Sequence, residues 1–177
     1  MTTNKAAPTP TRRQVLRGIA RASGLILTLG TARAAEDPRN APQQFHRYGI
    51  DQETVTIVTT TGHYDFLVAV ISNPGTPDSG FMSRRAVSPD EGLLYTAQTV
   101  GPLAVSNRGV PFPTDLLFIS ADGRVTQVRA SIMANDNRVF SSNMPVKAAL
   151  QVIAGTVMRI SARPGDYVLS PLFGRTL

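Results

Sequence analysis

The sequence predicts a mainly β fold, a compact barrel or sandwich of short, mostly antiparallel strands with one or two short helices. Short runs of β-branched and aromatic residues recur along the chain, and clusters of Gly and Pro separate them. No long segment shows the 3.6-residue periodicity of an amphipathic helix. The 177 residues are enough for one domain with a substantial core. Because there is no cysteine, stability must come from packing rather than from disulfides.

The first two strands are predicted to pair with each other. Residues 54–60 (TVTIVTT) are rich in β-branched side chains, and Thr61-Gly62-His63 can turn the chain into residues 64–71 (YDFLVAVI). The second of these strands is apolar on both faces, so we expect it inside the sheet. A turn cluster at 73–77, a short helix or loop at 78–86, and short strands at 92–95 and 103–105 with a polar link between them are predicted to follow.

The strongest local signal is the segment 111–128 (PFPTDLLFISADGRVTQV). Its residues 116–119 are apolar on both faces, Asp122-Gly123 is a two-residue hairpin signal, and the returning strand begins at Val125. Beyond it we expect an exposed loop at 131–143, a strand at 146–152, a helical turn at 155–160, and a tight turn at 163–166 before a last strand at 167–169.

The first 34 residues have the pattern of an export signal. Arg12 and Arg13 precede a short apolar run at 24–30, and Ala32-Arg33-Ala34 is a small-residue cleavage site. The arginine pair favours the twin-arginine route, whose cargo folds before it crosses, so the twin-arginine export machinery is an expected partner. A transmembrane helix needs about 20 apolar residues. Arginines interrupt or bound this shorter run, so we expect no stable membrane span after cleavage; an uncleaved membrane anchor is the alternative.

Removal of the signal changes the charge of the protein. The chain has 18 Lys and Arg residues against 12 Asp and Glu, and six of the basic residues lie in 1–34 without any acid, which leaves 12 of each sign. A balanced domain lacks the basic excess of a nucleic-acid-binding protein, so we expect no nucleic-acid partner. The predicted organisation is a signal peptide at 1–34, a linker at 35–44 and a single β-rich domain at 45–177, located in the periplasm or outside the cell.

Few residues are arranged for catalysis. His46 and His63 are the only histidines and lie in no spaced metal motif, and the chain has no G-x-S-x-G elbow and no phosphate-binding glycine loop. We therefore expect no metal and no cofactor. Asp90-Glu91 with Asp115 could supply the paired carboxylates of a glycoside hydrolase. However, neighbouring residues in a strand face opposite sides, and we interpret Asp90 and Glu91 as solvated turn acids.

Asp115 stands at the head of an apolar strand. A carboxylate there must be hydrogen-bonded, paired with a cation or neutralised, because burial of a lone charge is costly. The simplest interpretation is a structural acid that is held by backbone N–H groups or by an arginine. A binding or acid–base role is the alternative.

Four segments occur in a recognisable order: residues 80–84 (GFMSR), 91–95 (EGLLY), 113–119 (PTDLLFI) and 164–168 (PGDYV). Together they resemble the DUF192 family, also called UPF0127. Its signals are Gly-Leu-Met-x-Arg, an acid-Gly-hydrophobic segment, Trp-Met-Lys-Asn-Thr-x-x-Pro-Leu-Asp before an apolar strand, and a C-terminal Gly-Asp. The resemblance spans about residues 64–169. It implies a compact β-rich domain, often exported, with no established reaction.

The chain departs from this family pattern at two places. Residues 106–110 (SNRGV) stand where the family has Trp-Met-Lys-Asn-Thr, and Gln151 stands where an acid is expected. If the family has a ligand site built on the tryptophan and that acid, this chain has altered it. Arg108 could hold an anion or carboxylate, or it could be a solvated loop arginine. From the family spacing we expect Arg84 to pair with Asp115.

The sequence thus favours a non-catalytic binding or accessory domain of the cell envelope over an enzyme. We expect its ligand site at Asp115, Arg84, Arg108 and Asn107, where it would take a small envelope ligand or a protein partner. Two alternatives stay open. One is a carboxylate-dependent hydrolase of envelope saccharides, and the other is a structural protein-interaction domain without a small ligand.

Overall fold

The structure, a computed structural model, describes residues 51–72 and 80–176. The predicted signal peptide, the linker and the whole turn cluster at 73–77 lie outside the described residues. The described strands are β1 (Gln52–Thr59), β2 (Gly62–Ile71), β3 (Glu91–Gly101), β4 (Ala104–Ser106), β5 (Thr114–Ile119), β6 (Val125–Ile132), β7 (Val139–Ser141), β8 (Val146–Ile153) and β9 (Tyr167–Leu169). Helix α1 spans Thr156–Arg159, and single 3-10 turns lie at Phe81–Ser83 and Pro171–Phe173.

Seven strands form one curled sheet in the order β6-β5-β8-β3-β2-β1-β9, and β4 pairs with β7 in a separate small sheet. Neighbouring strands are antiparallel except β2 and β3, which are parallel. The predicted mainly β, mostly antiparallel fold is confirmed, and β2 lies inside the sheet as expected. Among the described residues, none of the helices combines the length and the apolar character that a membrane crossing requires.

Strand β9 brings the two edges of the curled sheet together at one end. On one side it pairs with β1, where Val168 lies opposite Ile57. On the other side Tyr167 lies opposite Arg124, just before β6. The Val168 N–H donates to the Gly123 carbonyl at 2.7 Å, which adds a backbone link across the same junction. These hydrogen bonds use backbone N–H and C=O groups at the sheet edges that could otherwise pair with another chain.

The middle of the sheet is buried on both faces because successive side chains of a strand alternate between them. In β5, Leu117 and Ile119 join the largest core cluster, whereas Leu116 and Phe118 join a second cluster on the other face. A third cluster surrounds Phe81 on the 3-10 turn before β3. This two-sided burial explains why the segment 116–119 is apolar throughout.

The turn between β5 and β6 has three residues rather than the predicted two. The Gly123 N–H donates to the Ser120 carbonyl at 3.0 Å, and the Ser120 N–H donates to the Arg124 carbonyl at 2.9 Å. Ser120 and Arg124 therefore close a loop of residues 121–123, and Gly123 takes the left-handed conformation with φ 82°. A β-turn followed by a left-handed glycine is the usual form of a three-residue hairpin loop.

Two other sequence predictions are wrong in their boundaries. The link expected after residue 95 is instead the second half of β3, which runs to Gly101 with an irregular register from Thr96. The stretch 131–143, expected to be an exposed loop, contains the end of β6 and all of β7. Both segments are polar and partly exposed, and backbone pairing with β8 and β4 makes them strands.

Replacement of Gly123 by Ala is expected to destabilise the fold more than replacement of Gly155. Both glycines have positive φ, so alanine costs about 1 kcal/mol at either position. At Gly123 an added Cβ would also lie 2.6 Å from the Val168 carbonyl oxygen, whereas nothing lies within 4 Å at Gly155. The clash adds about 1–3 kcal/mol. Urea unfolding of both variants measures the difference, and equal losses would contradict the tight junction at β9.

Candidate functional site

Asp115 is buried at the second position of β5, with 1% of its surface exposed. Its Oδ1 accepts a hydrogen bond from the Ser131 N–H at 2.8 Å, and its Oδ2 accepts one from the Val157 N–H at 2.9 Å. The carboxylate therefore ties β5 to the end of β6 and to the first turn of α1. This geometry is that of a structural acid held by backbone N–H groups, the simpler of the two interpretations drawn from the sequence.

Arg84 pairs with Glu91 rather than with Asp115. Its Nη1 lies 2.8 Å from Glu91 Oε2, and both side chains are almost completely buried. No ion pair among the described residues joins Arg84 to Asp115, so the expected pair is replaced by this one. Glu91 is not a solvated turn acid, because it is the first residue of β3 and lies beside β2. Asp90, just before the strand, is exposed as expected.

Asn107 is buried at the centre of a polar network, with 1% of its surface exposed. Its Nδ2 donates to the carbonyls of Phe112 at 3.1 Å and Met133 at 2.7 Å. Its Oδ1 accepts hydrogen bonds from Thr114 Oγ1 at 3.1 Å and from Gln151 Nε2 at 2.9 Å. All four hydrogen-bonding positions of the amide are thereby used, which leaves Asn107 no group for a ligand.

Gln151 connects this network to Tyr95. Its Nε2 also donates to Thr114 Oγ1 at 3.1 Å, and its Oε1 accepts from the Tyr95 hydroxyl at 2.9 Å. Burial raises the pKa of Tyr95 above its ordinary value, so the phenol stays protonated and keeps this donor role. The hydroxyl thus fixes which end of the Gln151 amide faces Asn107.

Gln151 and Asn107 lie at the two places where the sequence resemblance predicts a departure from the family pattern, and they are hydrogen-bonded to each other. The Gln151 Nε2 donates to Asn107 Oδ1, so an acid at position 151 would bring its oxygen against another acceptor. Leu93 and Leu116 lie directly opposite Gln151 on the neighbouring strands, which places the polar group among apolar side chains. The Gln151 amide therefore suits this position, because it can donate a hydrogen bond to the Asn107 oxygen.

Arg108 lies on the exposed side of the loop that Asn107 anchors. Met82 packs against Gly109, the residue after Arg108. The terminal methyl of Met82 is 2.5 Å from the position that a Cβ of Gly109 would occupy. Met82 and Met133 are exposed by 43% and 68%, and Asn107 holds the backbone of Met133. We call Arg108, Gly109, Met82 and Met133 the loop face. The loop face contains one cation and two exposed apolar side chains, and the buried hydrogen bonds of Asn107 support it.

Of the four residues expected at a ligand site, the structure leaves one at the surface. Asp115, Arg84 and Asn107 are buried, and Arg108 is exposed. Sequence reasoning missed the exposed Met82 and Met133, because methionine is common in cores and carries no sign of exposure. The residues 51–72 and 80–176 hold no group of three or more His, Asp or Glu side chains placed to bind a metal ion.

Fold and contacts together define a small β-rich domain whose buried polar groups support an exposed loop face. The chain belongs to the DUF192 family, described as "Uncharacterized ACR", whose model matches residues 56–170. This match confirms the family resemblance and covers nearly all of the described domain.

Two solved structures are similar to this chain. One, from Sinorhizobium meliloti, is described as a "putative transcription regulator"; it is 28% identical, with a TM-score of 0.65 over 70% of this chain and 96% of that one. The other, a protein of unknown function from Novosphingobium aromaticivorans, is 24% identical, with a TM-score of 0.65 over 70% of this chain and 88% of that one. The similarity to the Novosphingobium protein shows the fold alone. No curated protein matches the chain.

Replacement of Gln151 by Glu is expected to destabilise the protein by about 3 kcal/mol at pH 7, because it buries a charge against Asn107 Oδ1. Burial will raise the pKa of the new carboxyl above about 4.3 in the folded state. The folded state then holds the proton more tightly than the unfolded chain. The loss of stability that this buried charge causes is therefore absent below about pH 4.3, and it grows as the pH rises toward the raised pKa.

Urea unfolding of the Glu variant and of the unmodified protein between about pH 4 and pH 8 tests this expectation. The difference between the two curves is the relevant quantity, since other carboxylates titrate in both proteins. A constant difference across this range would contradict a charge penalty at position 151.

Proposed function

We propose that this protein is an exported, non-catalytic binding domain of the cell envelope and that the loop face is its binding surface. The observation that carries the proposal is that the exposed Arg108 lies between Gly109, against which the exposed Met82 packs, and Asn107, which holds the backbone of the exposed Met133. Such a surface suits a ligand with an anionic group and an apolar part, whether a small envelope molecule or a segment of a protein.

The rigid base under the loop face supports a binding role. Asn107 holds the carbonyl of Phe112 and that of Met133, which belongs to the loop face. A surface that is already ordered loses less conformational entropy when it binds. The network therefore favours recognition by a preformed surface.

The contacts of the acids give the hydrolase alternative little support. Both oxygens of Asp115 accept backbone N–H groups, and Glu91 pairs with Arg84. A glycoside hydrolase needs one carboxyl group to donate a proton and another to act as a base or nucleophile at an open cleft. Asp115 and Glu91 are buried with these partners, so each would have to break its contacts first.

Regulation of transcription, the role in the description of the Sinorhizobium protein, is not extended to this chain. The residues after position 34 carry 12 basic and 12 acidic side chains. That balance does not provide the basic excess with which proteins bind nucleic acid.

Replacement of Arg108 by Gln is expected to weaken binding at the loop face about tenfold, because a hydrogen bond to a charged group contributes about 1.5–3 kcal/mol. A thermal-shift screen of the purified protein against envelope metabolites and sugars would first identify ligands. Titration calorimetry with each hit then compares the unmodified protein, the Arg108→Gln variant and an Arg129→Gln control. Hits whose affinity is the same in all three proteins would contradict the loop face as the site.

Replacement of both Arg12 and Arg13 by Lys is expected to hold the protein in the cytoplasm, because the proposed route reads the paired arginines of the signal. Cell fractionation with immunodetection of the full chain measures the distribution. An Arg33→Lys variant is the matched control, since it changes an arginine of the same segment outside the pair. An unchanged distribution in the double variant would contradict the twin-arginine route.

A further inference from the structure

We propose that Arg124, Tyr167 and Arg175 form a second binding site, which takes a phosphate group. The guanidinium carbon of Arg124 lies 5.8 Å from the centre of the Tyr167 ring, and that of Arg175 lies 4.7 Å from it. Both distances are within cation–π range. Two cations thus share one aromatic ring at the junction where β9 meets the start of β6.

The backbone of this junction directs the three side chains to the same region. Arg124 and Tyr167 lie directly opposite each other in an antiparallel bridge, so their side chains lie on the same face. The Arg124 guanidinium lies beside Gly165, because a Cβ at Gly165 would stand 3.4 Å from the Arg124 Nη2. The Arg175 side chain lies beside Gly123, because its Cδ is 3.5 Å from the position that a Cβ of Gly123 would occupy.

The guanidinium donors at this site are unused by the described part of the protein. Arg138 binds Asp136, and Arg159 donates to the Pro89 carbonyl. In contrast, the side chains of Arg124 and Arg175 form no hydrogen bond and no ion pair with any group in residues 51–72 or 80–176. The Tyr167 ring covers part of each guanidinium surface, while the N–H edges stay available to an anion.

One nearby carboxylate, Asp122, reduces the positive potential at this junction. The pKa of Asp122 lies below its usual value, chiefly because the Ser120 hydroxyl donates to it and in smaller part because of the charge of Arg175. Asp166, which follows Gly165, is buried and accepts the backbone N–H of Arg163. It is therefore oriented into the turn rather than toward the two cations.

A phosphate group matches this arrangement better than a single carboxylate. Each guanidinium can donate two parallel N–H groups to a pair of oxygens, and a phosphate monoester has enough oxygens for two such forks. An anion between the cations would also offset their mutual repulsion. The group could be free phosphate or the headgroup of a phosphate-bearing lipid, because the two share this chemistry.

The second site is separate from the loop face. Asn107 and its loop precede the start of β5, whereas the turn that carries Arg124 follows its end. Six residues of strand span about 20 Å. The proposal of the second site therefore does not rest on the proposed role of the loop face.

Titration of the full chain with inorganic phosphate at constant ionic strength, followed by NMR of the arginine side chains and the Tyr167 ring, tests the site. We expect saturable shifts with a Kd on the order of 1 mM. The Arg124→Gln/Arg175→Gln variant should bind at least about tenfold more weakly. The Asp122→Asn variant, which removes the nearby negative charge and keeps a turn-forming residue, should bind more tightly.

A second double variant, Arg85→Gln/Arg129→Gln, is the matched control, since it removes two exposed arginines elsewhere. It should stay within about twofold of the unmodified affinity. Flotation with vesicles of phosphatidylcholine, with or without phosphatidic acid, distinguishes the two sources. Vesicle binding that depends on Arg124 and Arg175 and is competed by phosphate assigns the site to a lipid headgroup, and phosphate binding alone assigns it to a free phosphate.

Three results would overturn the proposal. The first is the absence of saturable shifts up to about 50 mM phosphate, well above the expected Kd. The second is an equal loss in the two double variants, since that would indicate a general charge effect. The third is weaker binding by the Asp122→Asn variant. Melting temperatures of all variants accompany the titrations, so that a loss of binding is compared only among folded proteins.

Discussion

The hydrogen bond from the Gln151 amide to Asn107 is the interaction on which the candidate surface depends. It lies among apolar side chains, where an unmatched polar group costs about 1–3 kcal/mol. Asn107 in turn holds the backbone carbonyls of Phe112 and Met133, so the position of the exposed loop follows from a buried contact. Gln151 on β8 and Asn107 in the loop before β5 therefore support the exposed loop as one hydrogen-bonded unit.

Much of the fold could be predicted from local sequence, because β2, β5 and β8 are apolar on both faces and have turn residues at their ends. The second half of β3 and all of β7 could not be predicted, since their polar residues form strands only through pairing with distant segments. For the candidate site, the satisfied state of Asp115 followed from the cost of burying a charge. The Arg84–Glu91 pair did not, because the parallel pairing of β2 and β3 that positions Glu91 is not visible in local patterns.

The arginines of this domain differ in whether an acid compensates their charge. Arg84 is buried with Glu91, and Arg138 forms a close pair with Asp136, so their charges are compensated within the domain. Arg108, Arg124 and Arg175 form no such ion pair among the described residues and lie at the surface. A formal charge near zero thus conceals local positive regions at the two ends of β5. Balanced composition argues against a long polyanion and remains compatible with a single anionic group.

The pairing of β9 with β1 has a consequence for the order of folding. Ile57 lies opposite Val168, so the first described strand has no partner on this side until nearly the whole chain is available. Contacts between segments so far apart in sequence make folding slow, because a large loop must close before they form. A translocation machinery that threads the chain from its N-terminus would separate these strands as they emerge. If the protein takes the proposed twin-arginine route, the sheet closes before translocation, because that route carries a folded domain.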